Sequence, residues 1–425
     1  MIRHLLKLVW HRKRANALIA AEIFLSFVIV FAVVTIAVTL GSRWQAPLGF
    51  QWQNVWTMSV ESSLSHQPSG TRLTAETTNA EKTHAQRSAE DVDRMLRELR
   101  PFPQIEAAAA DTMPPFTGRT WTTAVTFNGH HVPVYADRAT DDFAKVMQMP
   151  ILKGRWFSAE DDAQNYQPLV IDADAASAIF GSLDPIGQKL PAKEFNESPD
   201  MPSDFRVVGV VAPYRKYGEF TPRNIKMVFF RATAPSRGVR GETGAGPEAN
   251  NVVFRVRPGT PASFEAELDQ RLRPAAMGVT YRIRRMDAMR DTSLKASLAP
   301  VATLSIVALF LILMVALGLT GVLWQTVTRR TREIGLRRAV GASGAGVRWQ
   351  VLGEVAVLVT LAVTVAAIVI AQLPLLGLFN VTTPGEVAWG FGAALAAIYA
   401  ITLLCAAYPG WLASTVQPAE ALHYE

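Results

Sequence analysis

The sequence predicts a membrane protein with four transmembrane α-helices and a large α+β extracytoplasmic domain inserted between helices 1 and 2. Three observations predict this fold class. Hydrophobic residues make up 49% of the 425-residue chain. Four apolar segments are each long enough to cross about 30 Å of hydrocarbon. A long polar stretch with strand and helix patterns separates the first apolar segment from the second.

The first transmembrane helix is predicted at 17–40, after a short N-terminal segment, 1–16. Its apolar run is too long for the core of a secretory signal peptide and contains one charged residue, Glu22. A carboxylate within a span costs free energy, so Glu22 is a candidate intramembrane polar site. Two alternatives remain open: a pairing with a neighbouring Arg or Lys at the interface, or a contact with another helix or a role in coupling.

The polar stretch 41–299 is predicted to fold as an α+β domain, because strand and helix patterns alternate along it. Asn128-Gly129 between two β-rich runs predicts a hairpin. Asp172 or Asp174 is expected to cap a short helix that ends at Phe180. Further strands are predicted at Phe205–Val211, Ile225–Phe230, Asn251–Arg257 and Val279–Ile283, helices at Ser88–Arg100 and from Thr260 onward, and surface loops at His66–Thr83 and Ala232–Asn250.

A helical stalk is predicted at 286–300, running directly into the second transmembrane helix at 300–324. At 1.5 Å per residue it would extend about 20 Å from the membrane and could transmit movement to the domain. The remaining segments are a loop, transmembrane helices 3 and 4, and a tail, predicted at 325–353, 354–378, 387–408 and 409–425. Four spans place both termini on one side of the membrane.

Lys and Arg residues cluster before the first span and between the second and third. The positive-inside rule therefore places these flanks, and both termini, in the cytoplasm. The connection Phe379–Glu386 has no Lys or Arg, as expected of an outside loop, and the domain 41–299 then lies outside as well. Because the basic residues gather beside apolar segments, the net charge of +6 does not indicate a nucleic-acid partner.

No catalytic or metal site is predicted. The sequence contains no P-loop, Gly-x-Ser-x-Gly, His-Glu-x-x-His or Cys-x-x-Cys motif, and its single cysteine, Cys405, excludes an intramolecular disulfide. Asp141-Asp142 and Glu160-Asp161-Asp162 are interpreted as solvated acids at helix starts and turns. His130-His131 would point to opposite faces of a strand. No substrate-binding residue is assigned, and the chain is not expected to be an enzyme.

The loop after the second span reads Arg-Arg-Thr-Arg-Glu-Ile-Gly-Leu-Arg-Arg-Ala-Val-Gly-Ala-Ser over 329–343, more patterned than membrane anchoring requires. Glu333 can pair with Arg337 at i+4 or Arg330 at i−3, leaving Ile334 and Leu336 available for apolar contact. Simple anchoring is the alternative. The candidate residues of this coupling loop are Arg330, Arg332, Glu333, Ile334, Gly335, Arg337, Arg338 and Gly341.

This loop resembles the signature loop of the MacB/FtsX permease family, through Thr331–Gly335 and Ala339–Ala342, directly after the second of four spans. Other parts of the chain also resemble the family. They are Gly154-Arg155-Trp156-Phe157, Ile179-Phe180-Gly181, Asp184-Pro185-Ile186-Gly187 and Val207–Val211 in the MacB-like periplasmic core domain, and Pro418–Leu422 at the end of the chain.

The resemblance implies the permease subunit of an ABC transporter in the bacterial inner membrane. In this family two permeases, as a homodimer or a heterodimer, associate with two copies of a cytoplasmic ABC ATPase, and ATP hydrolysis moves the periplasmic domains by mechanotransmission. Export or efflux of a substrate is the expected result, with a periplasmic adaptor and an outer-membrane channel as further partners. Because 1–16 cannot hold an ATPase, a separate subunit is expected to use ATP and Mg, and this chain to bind no cofactor.

Two other functions remain open. An FtsX-like regulator would activate a periplasmic partner, such as a cell-wall hydrolase, without transporting a substrate. A sensor that binds a ligand between two spans is the weakest alternative, because the chain contains no kinase, cyclase or methyl-accepting region.

Overall fold

The computed structural model describes residues 13–62, 89–191, 204–222, 225–232, 249–276, 279–329, 336, 340, 343–373 and 382–415. The chain divides into two compact units. The membrane unit comprises Met1–Trp44 and Ser297–Glu425, and the sheet domain comprises Gln45–Ala296. The surface loop predicted at His66–Thr83 lies outside the described residues, as does most of the one predicted at Ala232–Asn250.

Along the chain, a long run of strands interrupts the helices. The helices are α1 (Lys13–Trp44), α2 (residues 89–99), α3 (Phe143–Met147), α4 (Ala173–Phe180), α5 (Phe264–Ala275), α6 (Met286–Arg329), α7 (Gly344–Gln372) and α8 (Pro384–Thr415). The strands are β1 (Val55–Ser62), β2 (Ile105–Asp111), β3 (Thr122–Phe127), β4 (His130–Ala139), β5 (Ile151–Gly154), β6 (Gln167–Asp172), β7 (Lys189–Leu190), β8 (Phe205–Val211), β9 (Met227–Arg231), β10 (Asn251–Val256) and β11 (Val279–Arg285).

Four helices, α1, α6, α7 and α8, are long and apolar enough to cross a membrane, which confirms the predicted fold class. Large apolar side chains on α6 are exposed in this unit, with Ile306 at 70% and Leu317 at 71%. Water would penalise such a surface, whereas lipid does not. Trp324 stacks on Tyr408, with ring centroids 6.1 Å apart, at one end of the helices. Such aromatic side chains are typical of the membrane interface.

The helices extend beyond three of the predicted spans. The second span is the later part of α6, and the predicted stalk 286–300 is its beginning, so one helix covers both. α7 starts at Gly344, before the predicted 354, and ends at Gln372, where the sequence continues with Leu373 and Pro374. Leu373 keeps helical backbone angles, and Pro374 has no backbone N–H with which to continue the helix, which accounts for this end. Residues 374–381 lie outside the described part of the chain.

The sheet domain is built on one mixed sheet with the strand order β11-β1-β10-β2-β4-β9-β6-β8-β5, to which β3 adds beside β4 and β7 beside β8. The first four strands pair antiparallel, whereas β4 with β9 and β6 with β8 are parallel. The two halves meet where β2 joins β4, through the single residue pair Asp111 and Ala139. We call this junction the seam.

Helices cover one face of the sheet. α2 and α5 pack on the half that contains β1 and β10, and α4 packs on the half that contains β6 and β8. The opposite face is covered by short segments and by the first turns of α6, whose Met286 and Met289 are buried with Phe143, Trp156 and Tyr214. Because side chains alternate along a strand, Asp111 and Ala139 point to this second face.

The predicted local features of the sheet domain are present. β3 and β4 form the hairpin, with Phe127 paired to His130 and positive φ at both turn residues, 50° at Asn128 and 79° at Gly129. Positive φ at both positions is the requirement of a type I′ turn. Asp172 is the N-cap of α4, where its Oδ1 accepts a hydrogen bond of 2.8 Å from the N–H of Ala175.

Candidate functional site

The segment between α6 and α7 carries the predicted coupling residues. Arg330, Arg332, Glu333, Ile334, Gly335, Arg337, Arg338 and Gly341 all lie outside the described residues. Leu336 and Val340, which lie between these residues in the sequence, are described, and the N–H of Val340 donates a 3.1 Å hydrogen bond to the carbonyl of Leu336. Their exposed fractions are 57% and 84%. These two exposed apolar residues are four positions apart, the spacing at which side chains of a helix share one side.

The start of α7 is held on both sides. Ser343 is its N-cap, with extended backbone and an Oγ that accepts a 3.1 Å hydrogen bond from the N–H of Gly346. One turn later, Arg348 packs on α8: its Cγ is 3.5 Å from the position that a Cβ on Gly410 would occupy. Because glycine has no side chain there, the two helices approach closely directly after the coupling segment.

Glu22 lies at a contact between α1 and α6. A Cβ built on Gly318 would be 3.0 Å from its Oε2, so the absence of a side chain at Gly318 leaves room for the carboxylate. One turn further along α1, Ser26 is fully buried, and its Oγ has no hydrogen-bond partner among the described residues. The structure thus places Glu22 in a helix contact. The side chains of Lys13 and Arg14, the basic residues nearest in sequence, lie outside the described set.

A buried carboxylate also joins the C-terminal end of α1 to the first turn of α8. Glu386, which is 7% exposed, accepts hydrogen bonds of 2.6 Å from Ser42 Oγ and 3.5 Å from Thr39 Oγ1. Its Oε2 accepts a 2.9 Å bond from the N–H of Thr383, and Thr383 Oγ1 accepts one of 3.3 Å from the N–H of Glu386. This reciprocal pair is a capping box. The pattern Thr-x-x-Glu before an apolar run was readable in the sequence and was overlooked.

The first turns of α6 are fastened to the sheet domain by polar contacts. The guanidinium of Arg290 donates to Glu219 Oε1, with an N–O distance of 2.6 Å, and lies 4.6 Å from the centroid of the Trp52 ring. The Oγ of Ser293 donates a 3.3 Å hydrogen bond to the carbonyl of Tyr217. Both contacts are with the segment 213–221, so this segment and the base of α6 are linked. Sequence reasoning missed the pair because its members are far apart in the chain.

Asp142 and Glu160 are exposed, as predicted, whereas Asp141, Asp161 and Asp162 are wholly or partly buried and form ion pairs. Asp141 and Asp162 both bind the buried guanidinium of Arg231, at 2.7 and 2.5 Å. The side chain of Asp161 is fully buried and pairs with Arg155 at 2.5 Å. These hydrogen bonds lower the pKa of Asp161 against the opposing effect of burial, and the two carboxylates raise the pKa of Arg231. Carboxylates neutralised in this way hold the domain together rather than serve as acid–base groups.

Two family profiles match the chain. The MacB-like periplasmic core domain covers residues 19–271, more than half of the chain, and the FtsX-like permease C-terminal covers residues 305–418. The chain belongs to the MacB/FtsX family of ABC transporter permeases. This permease is a multi-pass membrane protein with its sheet domain between the first and second membrane helices. Both matched families are permease parts rather than enzymes.

Individual relatives of the permease are named as exporters. It is 28% identical over 311 residues to the macrolide export ATP-binding/permease protein MacB of Agrobacterium fabrum, covering 71% of this chain and 46% of the relative. A probable syringafactin export ATP-binding/permease protein of Pseudomonas syringae is 25% identical, covering 57% of this chain and 34% of the relative. The permease therefore spans less than half the length of these curated relatives.

Among solved structures, the periplasmic region of MacB from Actinobacillus actinomycetemcomitans is similar over 57% of this chain and 94% of its own. The sequence identity is 15% and the TM-score is 0.36.

Proposed function

We propose that this permease is the membrane subunit of a MacB-type ABC transporter, in which ATP hydrolysis moves the sheet domain by mechanotransmission to export a substrate. One observation carries this proposal. α6 begins among the buried residues of the sheet domain, at Met286, and ends at Arg329, directly before the coupling segment. A helix with these two ends provides a physical connection between the site of energy input and the domain that would move.

The energy is proposed to come from an ABC ATPase on the cytoplasmic side. None of the 425 residues forms a P-loop, so nucleotide chemistry must be performed by residues outside this sequence. The proposed contact is the coupling segment, where Leu336 and Val340 would provide apolar area and the surrounding Arg and Glu residues charge. Two ATPase copies would use ATP and Mg, and the permease itself would bind no cofactor.

The orientation and the other partners belong to the same proposal. The basic flanks place both termini in the cytoplasm of a bacterial cell and the sheet domain in the periplasm, with the helices in the inner membrane. A second permease, identical or related, would complete the membrane part. A periplasmic adaptor and an outer-membrane channel would continue the export route, as the export names of the relatives suggest.

The coupling segment can be tested against a matched apolar residue. The full chain is co-purified with its ATPase in nanodiscs, and the rate of ATP hydrolysis is measured with and without the permease. Changing Leu336→Ala together with Val340→Ala should remove most of the stimulation, as should Glu333→Gln or Arg337→Gln. Leu317→Ala, which also alters an exposed leucine but within the membrane helix α6, should leave it intact.

Undiminished stimulation in all of the coupling variants would contradict the proposed contact. Export is tested separately, by following the accumulation of exported compounds in cells that lack the permease. Loss of export supports the transporter. Unchanged export with altered activity of a cell-wall hydrolase would instead support the FtsX-like regulator.

A further inference from the structure

Two fully buried carboxylates lie at the seam of the sheet. Asp111 is the last residue of β2 and Asp137 lies in β4, and each is 0% exposed. Asp111 pairs with Ala139, two residues from Asp137, so both carboxylates are on the same face of the sheet. Backbone hydrogen bonds of 3.0 Å cross the seam from the N–H of Thr112 to the carbonyl of Arg138 and from the N–H of Thr140 to the carbonyl of Ala110.

Neither carboxylate is satisfied by hydrogen bonds. All four of their oxygen atoms are buried and lack a hydrogen-bond partner among the described residues, as does the hydroxyl of Tyr214. Backbone N–H groups of Arg138, Met113 and Thr112 lie near Asp137 and act to lower its pKa, but none of them has the geometry of a hydrogen bond to its oxygens. A buried polar group without a partner is costly, and a buried charge is more so.

The charged and titratable groups around the pair come from two other segments. Lys216 is 1% exposed, and its positive charge acts to lower the pKa of both carboxyl groups. The positive charge of Arg119 acts to lower the pKa of Asp111. In addition to burial, the negative charge of Asp137 raises the pKa values of Tyr214 and Tyr217. One buried ammonium thus faces the negative charge of two carboxyl groups, which repel each other when both are ionised.

The protonation state follows from this imbalance. Burial raises the pKa of Asp111 well above its usual range and the pKa of Asp137 to about 6, while it lowers the pKa of Lys216. The two carboxyls titrate as a pair, since the charge on one raises the pKa of the other. A proton on the pair removes the repulsion and gives one carboxyl a donor.

We propose that Asp111 and Asp137 form a proton-binding site that fastens the two halves of the sheet at the seam. The ligand is a proton from the compartment that contains the sheet domain. When the proton is bound, the hydrogen bonds between β2 and β4 at the seam stay formed. When the proton is lost, these bonds break more often, and we call this opening of the seam. Proton binding at this site does not depend on an ATPase.

The segment 213–221 connects this site with the base of α6. Lys216 lies in the carboxylate cluster, the next residue, Tyr217, accepts the hydrogen bond from Ser293, and Glu219 binds Arg290. Opening of the seam would therefore displace the residues that hold α6. This second step, unlike the proton site itself, rests on the proposed function.

The pKa of Asp137 sets the direction in which the stability of the seam depends on pH. Because the folded-state pKa of Asp137 is above that of an exposed aspartate, its stabilising contribution is present at low pH and is lost as the pH rises through about 6. For a shift from 3.8 to about 6, the closed seam is favoured about tenfold more at pH 5 than at pH 7.5.

Hydrogen exchange on the full chain in nanodiscs tests the proposal, with rates corrected for intrinsic exchange at each pH. In the wild type, protection of the amides of Thr112 and Thr140 should fall about tenfold from pH 5 to pH 7.5. Asp137→Asn should abolish the dependence. Asp172→Asn, which alters another buried aspartate but leaves the seam pair unchanged, should retain it.

A second variant keeps the test decisive if Asp137→Asn does not fold. Lys216→Met removes the positive neighbour, so the midpoint of the pH dependence should move upward, which a merely structural role would not produce. A seam whose protection is independent of pH in the wild type, or a midpoint that stays in place in Lys216→Met, would overturn the proposal. The outcome is independent of ATPase stimulation and export, so it is distinguishable from failure of the proposed function.

Discussion

The contact between Arg290 and Glu219 is expected to hold the base of α6 in the sheet domain. The two side chains are 18% and 8% exposed, and their closest atoms are 2.6 Å apart. Arg290→Met removes the charge but keeps much of the apolar stem. Glu219 is then left buried without this ion pair, and its Oε2 already lacks a hydrogen-bond partner among the described residues.

The size of the effect follows from burial. Breaking a buried ion pair from one side costs about 3–5 kcal/mol, and the partial exposure of Arg290 reduces this to roughly 2–4 kcal/mol, including the lost contact with Trp52. For a domain of this size, 1 kcal/mol shifts the melting temperature by about 2–4 °C, so the sheet domain should melt about 4–16 °C lower.

Thermal unfolding of four proteins measures the coupling: the wild type, Arg290→Met, Glu219→Gln and the double variant. Because Glu219→Gln removes the charge that Arg290→Met would leave unpaired, the double variant should be more stable than the sum of the two single effects predicts. Strictly additive effects would refute the reasoning. In the coupled complex, Arg290→Met should lower export more than it lowers ATP hydrolysis.

Two further predictions concern packing in the membrane unit and titration in the sheet domain. A Cβ on Gly390 would lie 2.1 Å from Thr35 Oγ1, so Gly390→Val should separate α1 from α8 and lower the melting temperature in detergent, whereas Gly392→Val, with no atom within 4 Å, should not. Equal effects of the two valines would contradict the contact. Burial raises the pKa of Asp172 to about 7, so its contribution to stability is lost as the pH rises through 7. Asp172→Asn should reduce the difference in unfolding free energy between pH 4 and pH 8 by about 4 kcal/mol, as measured by denaturant titration, and an unchanged difference would count against this assignment.

Local chemistry explains which elements of the sheet domain could be predicted. The Asn128-Gly129 hairpin, the Asp172 cap and the strand at Phe205–Val211 all depend on residues that are neighbours in the chain. β2 and β6 were missed for the opposite reason. The alanine run in Ile105–Asp111 has little intrinsic β preference, and β2 exists because it pairs with β10. β6 carries Pro168, which argues against a central strand.

The candidate sites also differ in whether they depend on residues that are neighbours in the chain or on contacts between distant residues. The coupling segment and Glu22 could be singled out from the sequence because charged residues are unusual within or beside an apolar run, and their functional roles stay predictions. Glu386 had a local signal in its capping box, but its bonds to Ser42 and Thr39 cross nearly the whole chain.

The sequence by itself determined the four membrane helices and the family. Apolar length and flanking charge act locally, and a helix satisfies all the backbone hydrogen bonds of an apolar segment within that segment, as lipid requires. Only the tertiary structure decided that Arg290 binds Glu219 and that Asp111 meets Asp137 at the seam. Burial and electrostatic interaction depend on distances in space, which residues far apart in the chain acquire only when the sheet forms.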